Sequence, residues 1–237
     1  EADATKAISF VAKSKEPVIP VRSNIGSLED AVAAAATAAE GVGLFRTELL
    51  YLSATTEPTR ETQIKSYTEI LTACPEGPIV VRTIDAGSDK PVPFLKMPDE
   101  ENPALGVRGF RLVADHREFI VSQLESLEEA RKASGREVWV MAPMVATAAE
   151  AKEFATLAKA AGQFKVGIMV ETPSIVYEIS KLKGVVDFIS VGTNDLSQYL
   201  FASDRMNPNL GAMLNPWQPA LIASLNQIAI ESKKAGI

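Results

Sequence analysis

The feature that most restricts the fold is a repeated alternation of short β-branched apolar runs with longer helical patterns. The runs occupy residues 18–22, 42–46, 79–83, 138–142, 166–171 and 188–192. Each is apolar on consecutive residues rather than on every second one, as in a strand buried on both faces. Helical stretches lie between them. Ser27 precedes LEDAVAAAATAAE as an N-cap, and Thr147 with Glu150 three residues on forms a capping box whose helix runs to Gly162. Further helices are expected over residues 58–72, 117–134, 173–181, 196–202 and 216–235. The pattern implies a parallel sheet covered by helices.

Two α/β architectures share that pattern, and the positions of the charged residues separate them. GLF ends in Arg46, IVV in Arg82, GIMV in Glu171 and ISVGTN in Asp195, so four strands each end by sending charge out of an apolar core. Active sites of (β/α)8 barrels are built this way, from the carboxyl ends of several strands. The segment VRSNIGS after the first strand is neither GxGxxG nor a Walker loop, which disfavours a nucleotide-binding open sheet. The expected fold class is therefore α/β, a (β/α)8 TIM-type barrel. A closed barrel takes eight strands and about 250 residues. Here six strands are visible in 237 residues, and the sequence stops at KKAGI. The expectation is one domain over residues 1–237, a barrel truncated at its C-terminus, with pairing edges on its first and sixth strands.

Composition narrows the function. With 24 Lys+Arg against 30 Asp+Glu the net charge is −6, and no dense basic cluster offers a grip on nucleic acid. The longest strongly apolar runs span about eight residues, as at 138–145, short of the roughly 20 that a membrane helix needs. The single Cys74 excludes a disulfide framework within the chain and fits a reducing compartment, so a cytoplasmic location is expected.

Arg46, Arg82 and Arg108 would converge above the barrel, and guanidinium forks suit a bidentate grip on phosphate or carboxylate. An anionic substrate is the expectation; the plainer alternative pairs Arg46 with Glu48, or Arg82 with Asp85. Glu171 and Asp195, on adjacent strands, could share a hard divalent cation, and Mg²⁺ suits one or two carboxylates with water and phosphate completing its shell. A helix cap or salt bridge is the plainer reading of each, and a turn or N-cap that of Asn194. His116 in ADHRE reads as a solvated surface residue, Cys74 as a small buried thiol, and Trp139 and Trp217 as packing.

Five ordered blocks together resemble Enzyme I of the phosphoenolpyruvate-dependent sugar phosphotransferase system, specifically its C-terminal phosphoenolpyruvate-binding barrel. They are GVGLFRTELLYL (41–52), VVRTIDAGSDK (80–90), NPALGVRGFRL (102–112), GIMVETP (167–173) and VGTNDLSQYLFASDR (191–205). The resemblance implies that Arg46 and Arg82 hold the phosphate, that Arg205 and Asn194 contact phosphoenolpyruvate, and that Glu171 and Asp195 ligate magnesium. Arg108 matches a further active-site arginine of the family. It also implies phosphoryl transfer to a histidine, the phosphocarrier protein HPr as onward partner, and homodimerisation through this domain.

Departures from the family accompany the matches. The family's acid, a Cys in a Cys-Gly-Glu motif, would fall beyond residue 237, and its phosphorylated histidine sits on a separate N-terminal domain. No catalytic acid or phosphoacceptor is therefore expected in this chain, only much of a substrate site, with weak or no phosphoenolpyruvate binding and negligible turnover alone. Ser88 stands where the family has a second glycine. Pyruvate phosphate dikinase and phosphoenolpyruvate synthase share the FRTE and GTNDL blocks, but RTIDAGSDK favours Enzyme I. A non-catalytic dimerisation module and a magnesium-dependent aldolase-like barrel are the alternatives from other classes.

Overall fold

The computed structural model describes residues 19–237, apart from residues 53, 89 and 98. The strands are β1 (Ser23–Ile25), β2 (Val42–Arg46), β3 (Ile79–Arg82), β4 (Val138–Ala142), β5 (Lys165–Val170) and β6 (Phe188–Val191). The helices are α1 (Leu28–Ala35), α2 (Arg60–Ala73), α3 (Val113–Ser134), α4 (Ala148–Ala161), α5 (Pro173–Val176), α6 (Thr193–Leu200) and α7 (Pro219–Ala235). Among the described residues no helix is long and apolar enough to cross a membrane.

All six strands pair in parallel, in the order β1-β2-β3-β4-β5-β6. Each strand pairs with its sequence neighbour and the order never reverses. A doubly wound open sheet has such a reversal and binds its ligand there; a barrel wall has none. The sheet is thus a curled half-barrel of the TIM type, with β1 and β6 as its edges among the described residues.

Two apolar faces explain why the strands are apolar without alternation. One face, carrying Val42, Phe45, Ile79, Val81, Val140, Ile168 and Val170, packs against the helices in the main core. The other, carrying Val80, Met141 and Met169 with Leu44, Trp139 and Phe188 against them, lines the concave interior. Successive strand residues point to opposite faces, so both residues of each pair are apolar until the strand end, where the interior row changes to charge.

The capping box at Thr147 is present, with Glu150 reaching back to the Thr147 backbone and α4 stopping at Gly162. Ser27 caps α1 through the Asp30 N–H. The first strand falls later than expected. Val18 lies outside the described residues, and pairing begins only with the Val21 carbonyl and the Ser23 N–H. Pro20 has no N–H to give a ladder. The expected helix over 173–181 breaks into α5 and a 3₁₀ turn at Ile179–Leu182. At the break, Glu178 accepts the Ala148 N–H at 2.6 Å through one oxygen, at the start of α4, and Lys181 at 2.7 Å through the other.

Trp139 packs against Phe188 and lies beneath Arg22 and Lys165, whereas Trp217 is 80% exposed and packs little. His116 sits at a kink in α3, half-buried, with Nε2 at 3.2 Å from the Lys96 carbonyl. Cys74 is buried at the end of α2, where burial pushes its thiol up to about 11. Its thiolate fraction at pH 8 is then about 10⁻³, so thiol-reagent modification of the native chain is expected to run roughly a hundredfold slower than that of the unfolded chain. The rate should rise about tenfold per pH unit; equal native and unfolded rates at pH 8 would contradict the burial.

Candidate functional site

The charged residues singled out in the sequence gather at the carboxyl ends of β2, β3, β5 and β6. Arg46 and Arg82 are register partners, the last residues of β2 and β3. Their surroundings differ. Arg46 is exposed, and among the described residues its side chain makes no hydrogen bond or ion pair. Arg82 is buried; it contacts Glu48 at 2.5 Å and Asp85 at 3.3 Å, and its Nη1 approaches Met169 Sδ at 3.8 Å. The Arg82–Asp85 pair is the plainer reading of that arginine, and it forms. The Arg46–Glu48 pair does not form, because Glu48 turns inward to Arg82.

From Arg82 the charges continue as an alternating ladder. Asp85, 1% exposed, lies between Arg82 and Arg108. Arg108, equally buried, donates to both Asp85 oxygens, to Asp195 Oδ1 at 3.3 Å and to the Tyr199 hydroxyl at 3.4 Å. Arg205 closes the ladder on Asp195 Oδ2 at 3.2 Å. Burial alone would raise the Asp85 pKa, but Arg82 and Arg108 outweigh it and hold the carboxyl below its ordinary value. Burial disfavours the Arg108 charge too, and Asp85, then Asp195, hold it above the usual arginine range. Arg108 thus clamps two carboxylates with its donors, the partly exposed Arg205 spends one on Asp195, and the exposed Arg46 keeps its own unpaired among the described residues.

Glu171 follows β5 and is 1% exposed. Its Oε1 accepts the Met144 N–H at 2.7 Å, and its Oε2 is buried without a partner. Burial foremost, then the charges of Asp85 and Asp195, push its carboxyl up to about 8. Gly192 lets the turn after β6 pass this group, since a methyl there would stand 2.5 Å from Glu171 Oε2. Asp195 lies in the first turn of α6, buried, and Asn194 beside it is exposed. Asn194 is no N-cap, because Gly192 occupies that position.

Magnesium fits this corner. Among the described residues no three His, Cys, Asp or Glu side chains form a ready metal cluster, but Mg²⁺ needs only one or two carboxylates with water and phosphate. The orphaned Glu171 oxygen, close enough to Asp195 to feel its charge, is the kind of buried acceptor that a cation satisfies.

Beside the ladder lies a cavity of ≈ 700 Å³ bordered by Asn102, Leu105, Arg108, Tyr199 and Arg205. The Tyr199 hydroxyl ties α6 to the Ala104 carbonyl across it. Sequence reasoning treated Glu48 and Asp85 only as arginine partners and passed over Tyr199. The first two were visible as the acids two and three residues after Arg46 and Arg82 in the RTE and RTID blocks.

A parallel half-barrel whose carboxyl rim carries interleaved arginines and carboxylates places the chain among α/β proteins that gather charged side chains at the carboxyl ends of their strands. The chain belongs to the family described as PEP-utilising enzyme, PEP-binding domain, whose model matches residues 2–237. It is 47% identical over 219 residues to the phosphoenolpyruvate-protein phosphotransferase of Streptomyces coelicolor, covering 92% of this chain and 39% of that protein. The protein of the same name from Mycoplasma pneumoniae is 39% identical over 91% of this chain and 38% of its own length. A multiphosphoryl transfer protein of Escherichia coli O157:H7 is 36% identical over the full chain and 29% of its own length. The chain therefore spans less than half the length of these relatives. A solved structure described as a phosphonomutase, from Burkholderia cenocepacia J2315, aligns with TM-score 0.36 and 13% identity over 88% of this chain and 92% of that one. The fold assignment rests on strand order.

Proposed function

We propose that this chain is the phosphoenolpyruvate and magnesium site of a phosphoenolpyruvate-protein phosphotransferase of the sugar phosphotransferase system. The observation that carries the reading is the rim itself: Arg46 and Arg82 side by side in register, with Glu171 and its unpartnered oxygen directly after β5 and Asp195 in the turn that follows its neighbour β6. Arg46 and Arg82 would take the phosphate, and Arg205 and Asn194 would contact the remainder of phosphoenolpyruvate. Glu171 and Asp195 would hold Mg²⁺, which supplies positive charge to the phosphate oxygens when bound. Phosphoryl transfer passes through a loose transition state, so positioning and charge neutralisation are the protein's main contributions. Glu48, Asp85 and Arg108 set those positions by fixing the guanidinium of Arg82 and the carboxylate of Asp195. The relatives' name supports phosphoryl transfer from phosphoenolpyruvate to a protein; transfer to a histidine and onward to HPr, homodimerisation and a cytoplasmic setting belong to the same reading on the resemblance of the motif blocks alone.

Calorimetric titration of phosphoenolpyruvate into the chain, with and without Mg²⁺, tests the proposal. Saturable binding that requires the metal is expected, with negligible pyruvate formation. Metal-independent binding, or none at any attainable concentration, would count against the assignment.

A further inference from the structure

We propose that Gln123, in the middle of α3, is a positioning residue for this site, its buried amide holding the ends of β2 and β3 where they aim Arg46 and Arg82 at the anion. The proposal rests on the reading of those arginines given above. Gln123 is fully buried on a helix face that also carries Ile120, Leu124 and Leu127, where an amide is tolerated only if it is hydrogen-bonded. Its Oε1 accepts the Ile84 N–H at 3.0 Å. Its Nε2 donates to Thr47 Oγ1 and to the Tyr67 hydroxyl, each at 3.1 Å. The Thr47 hydroxyl in turn donates to the Arg82 carbonyl at 2.8 Å. The Arg82 C=O and the Ile84 N–H, which bracket Thr83, are therefore both held by one side chain, directly or through Thr47. Arg46 and Glu48 adjoin Thr47, whose side chain Gln123 holds, Arg82 supplies the carbonyl that Thr47 binds, and Asp85 adjoins Ile84, whose N–H Gln123 binds, so four rim residues are or adjoin residues in this network.

The orientation of the amide is fixed as well. The donors run one way, from Gln123 Nε2 to Tyr67, from Tyr67 to Tyr51, and from Tyr51 to Gln63 Oε1 at 3.1 Å, while Gln63 donates to the Pro58 carbonyl at 3.2 Å. Burial pushes the Tyr67 hydroxyl up to about 12, and Tyr51 is also held well above the ordinary phenol value, so both keep their protons. A glutamate at position 123 has no donor for Thr47, whose single proton is committed to Arg82. A methionine leaves the Ile84 N–H without an acceptor and takes away the donor that orients Thr47 Oγ1 toward the Arg82 carbonyl. Both changes reach the rim through its backbone, without touching the ligand.

The test compares Gln123→Met, Gln123→Glu and Thr47→Val with Tyr51→Phe, which removes the Tyr51 hydroxyl from Tyr67 and its long 3.5 Å contact with Gln123 Nε2 but spares the links to Thr47 and Ile84. Phosphoenolpyruvate with Mg²⁺ is titrated into each variant well below its melting midpoint, and amide exchange is followed in the same samples. The first three are expected to weaken affinity by about tenfold or more and to speed exchange selectively at residues 80–86. Tyr51→Phe should stay within about twofold of the parent even where its melting midpoint falls as far. Affinity within twofold for folded Gln123→Met, or for Thr47→Val should the former not fold, overturns the proposal. If the parent chain itself binds no phosphoenolpyruvate, the functional reading fails. Exchange then decides the role of the amide, with selective loosening at 80–86 supporting it and unchanged or uniform exchange overturning it.

Discussion

Replacing Arg82 by alanine is expected to destabilise the chain by about 3–5 kcal/mol and to abolish phosphoenolpyruvate binding. The first effect follows from geometry. Arg82 is the partner of Glu48 at 2.5 Å and the second cation on Asp85, and all three are buried. Its removal leaves a buried Glu48 carboxylate with neither oxygen paired, because Glu48 Oε2 has no partner even in the parent. Breaking a buried pair from one side costs far more than the pair contributes, since the remaining charge stays out of water. The double change Arg82→Met with Glu48→Gln should recover much of the stability and none of the binding. Denaturant unfolding and calorimetry on the three chains separate the two effects; retained binding in Arg82→Ala would remove that arginine from the anion grip.

Glu171→Gln is expected to do the opposite to stability. The parent buries a carboxyl with one unsatisfied oxygen among like charges, a cost that an uncharged amide of the same shape relieves. The ion-free variant should therefore unfold no more easily than the parent. Magnesium at about a hundredfold over its dissociation constant should raise the unfolding free energy of the parent by ~2.7 kcal/mol and leave the variant nearly unmoved. Equal magnesium stabilisation of both chains would place the metal elsewhere.

The fold was largely legible because its parallel strands announce themselves as continuous apolar runs. Residues 42–46 and 138–142 match β2 and β4 residue for residue, since both faces of those strands are dry and their ends are charged or marked by turns. The first strand was harder to place, because the apolar density of PVIPV sits on prolines that cannot donate to a ladder, while the paired SNI looks like a turn. The expected helix over 173–181 instead breaks at Glu178, and the Ala148 N–H that its carboxylate serves there lies thirty residues away, a partner that the local sequence does not mark.

The site shows the same division. Arg46, Arg82, Glu171 and Asp195 could be picked out because charge at the end of an apolar strand is a local anomaly. What joins them is not local. Arg108 meets Asp195 across 87 residues, and Gln123 meets Thr47 across 76. A glutamine in the middle of a helix carries no mark in the sequence of which carbonyl or hydroxyl it will face. The distinction between an arginine that offers its donors outward and one that spends them on carboxylates likewise appears only with the partners in place.

The central claim is that one rim binds phosphoenolpyruvate and a divalent cation together. Mn²⁺ can stand in for magnesium at an oxygen site, so the phosphorus resonance of phosphoenolpyruvate, recorded with the chain and Mn²⁺, tests that claim most directly. The account predicts strong paramagnetic broadening beyond that from free Mn²⁺, abolished in Asp195→Asn and Glu171→Gln. Binding of phosphoenolpyruvate without added broadening, or broadening unchanged in both variants, would show that anion and metal do not meet at this rim.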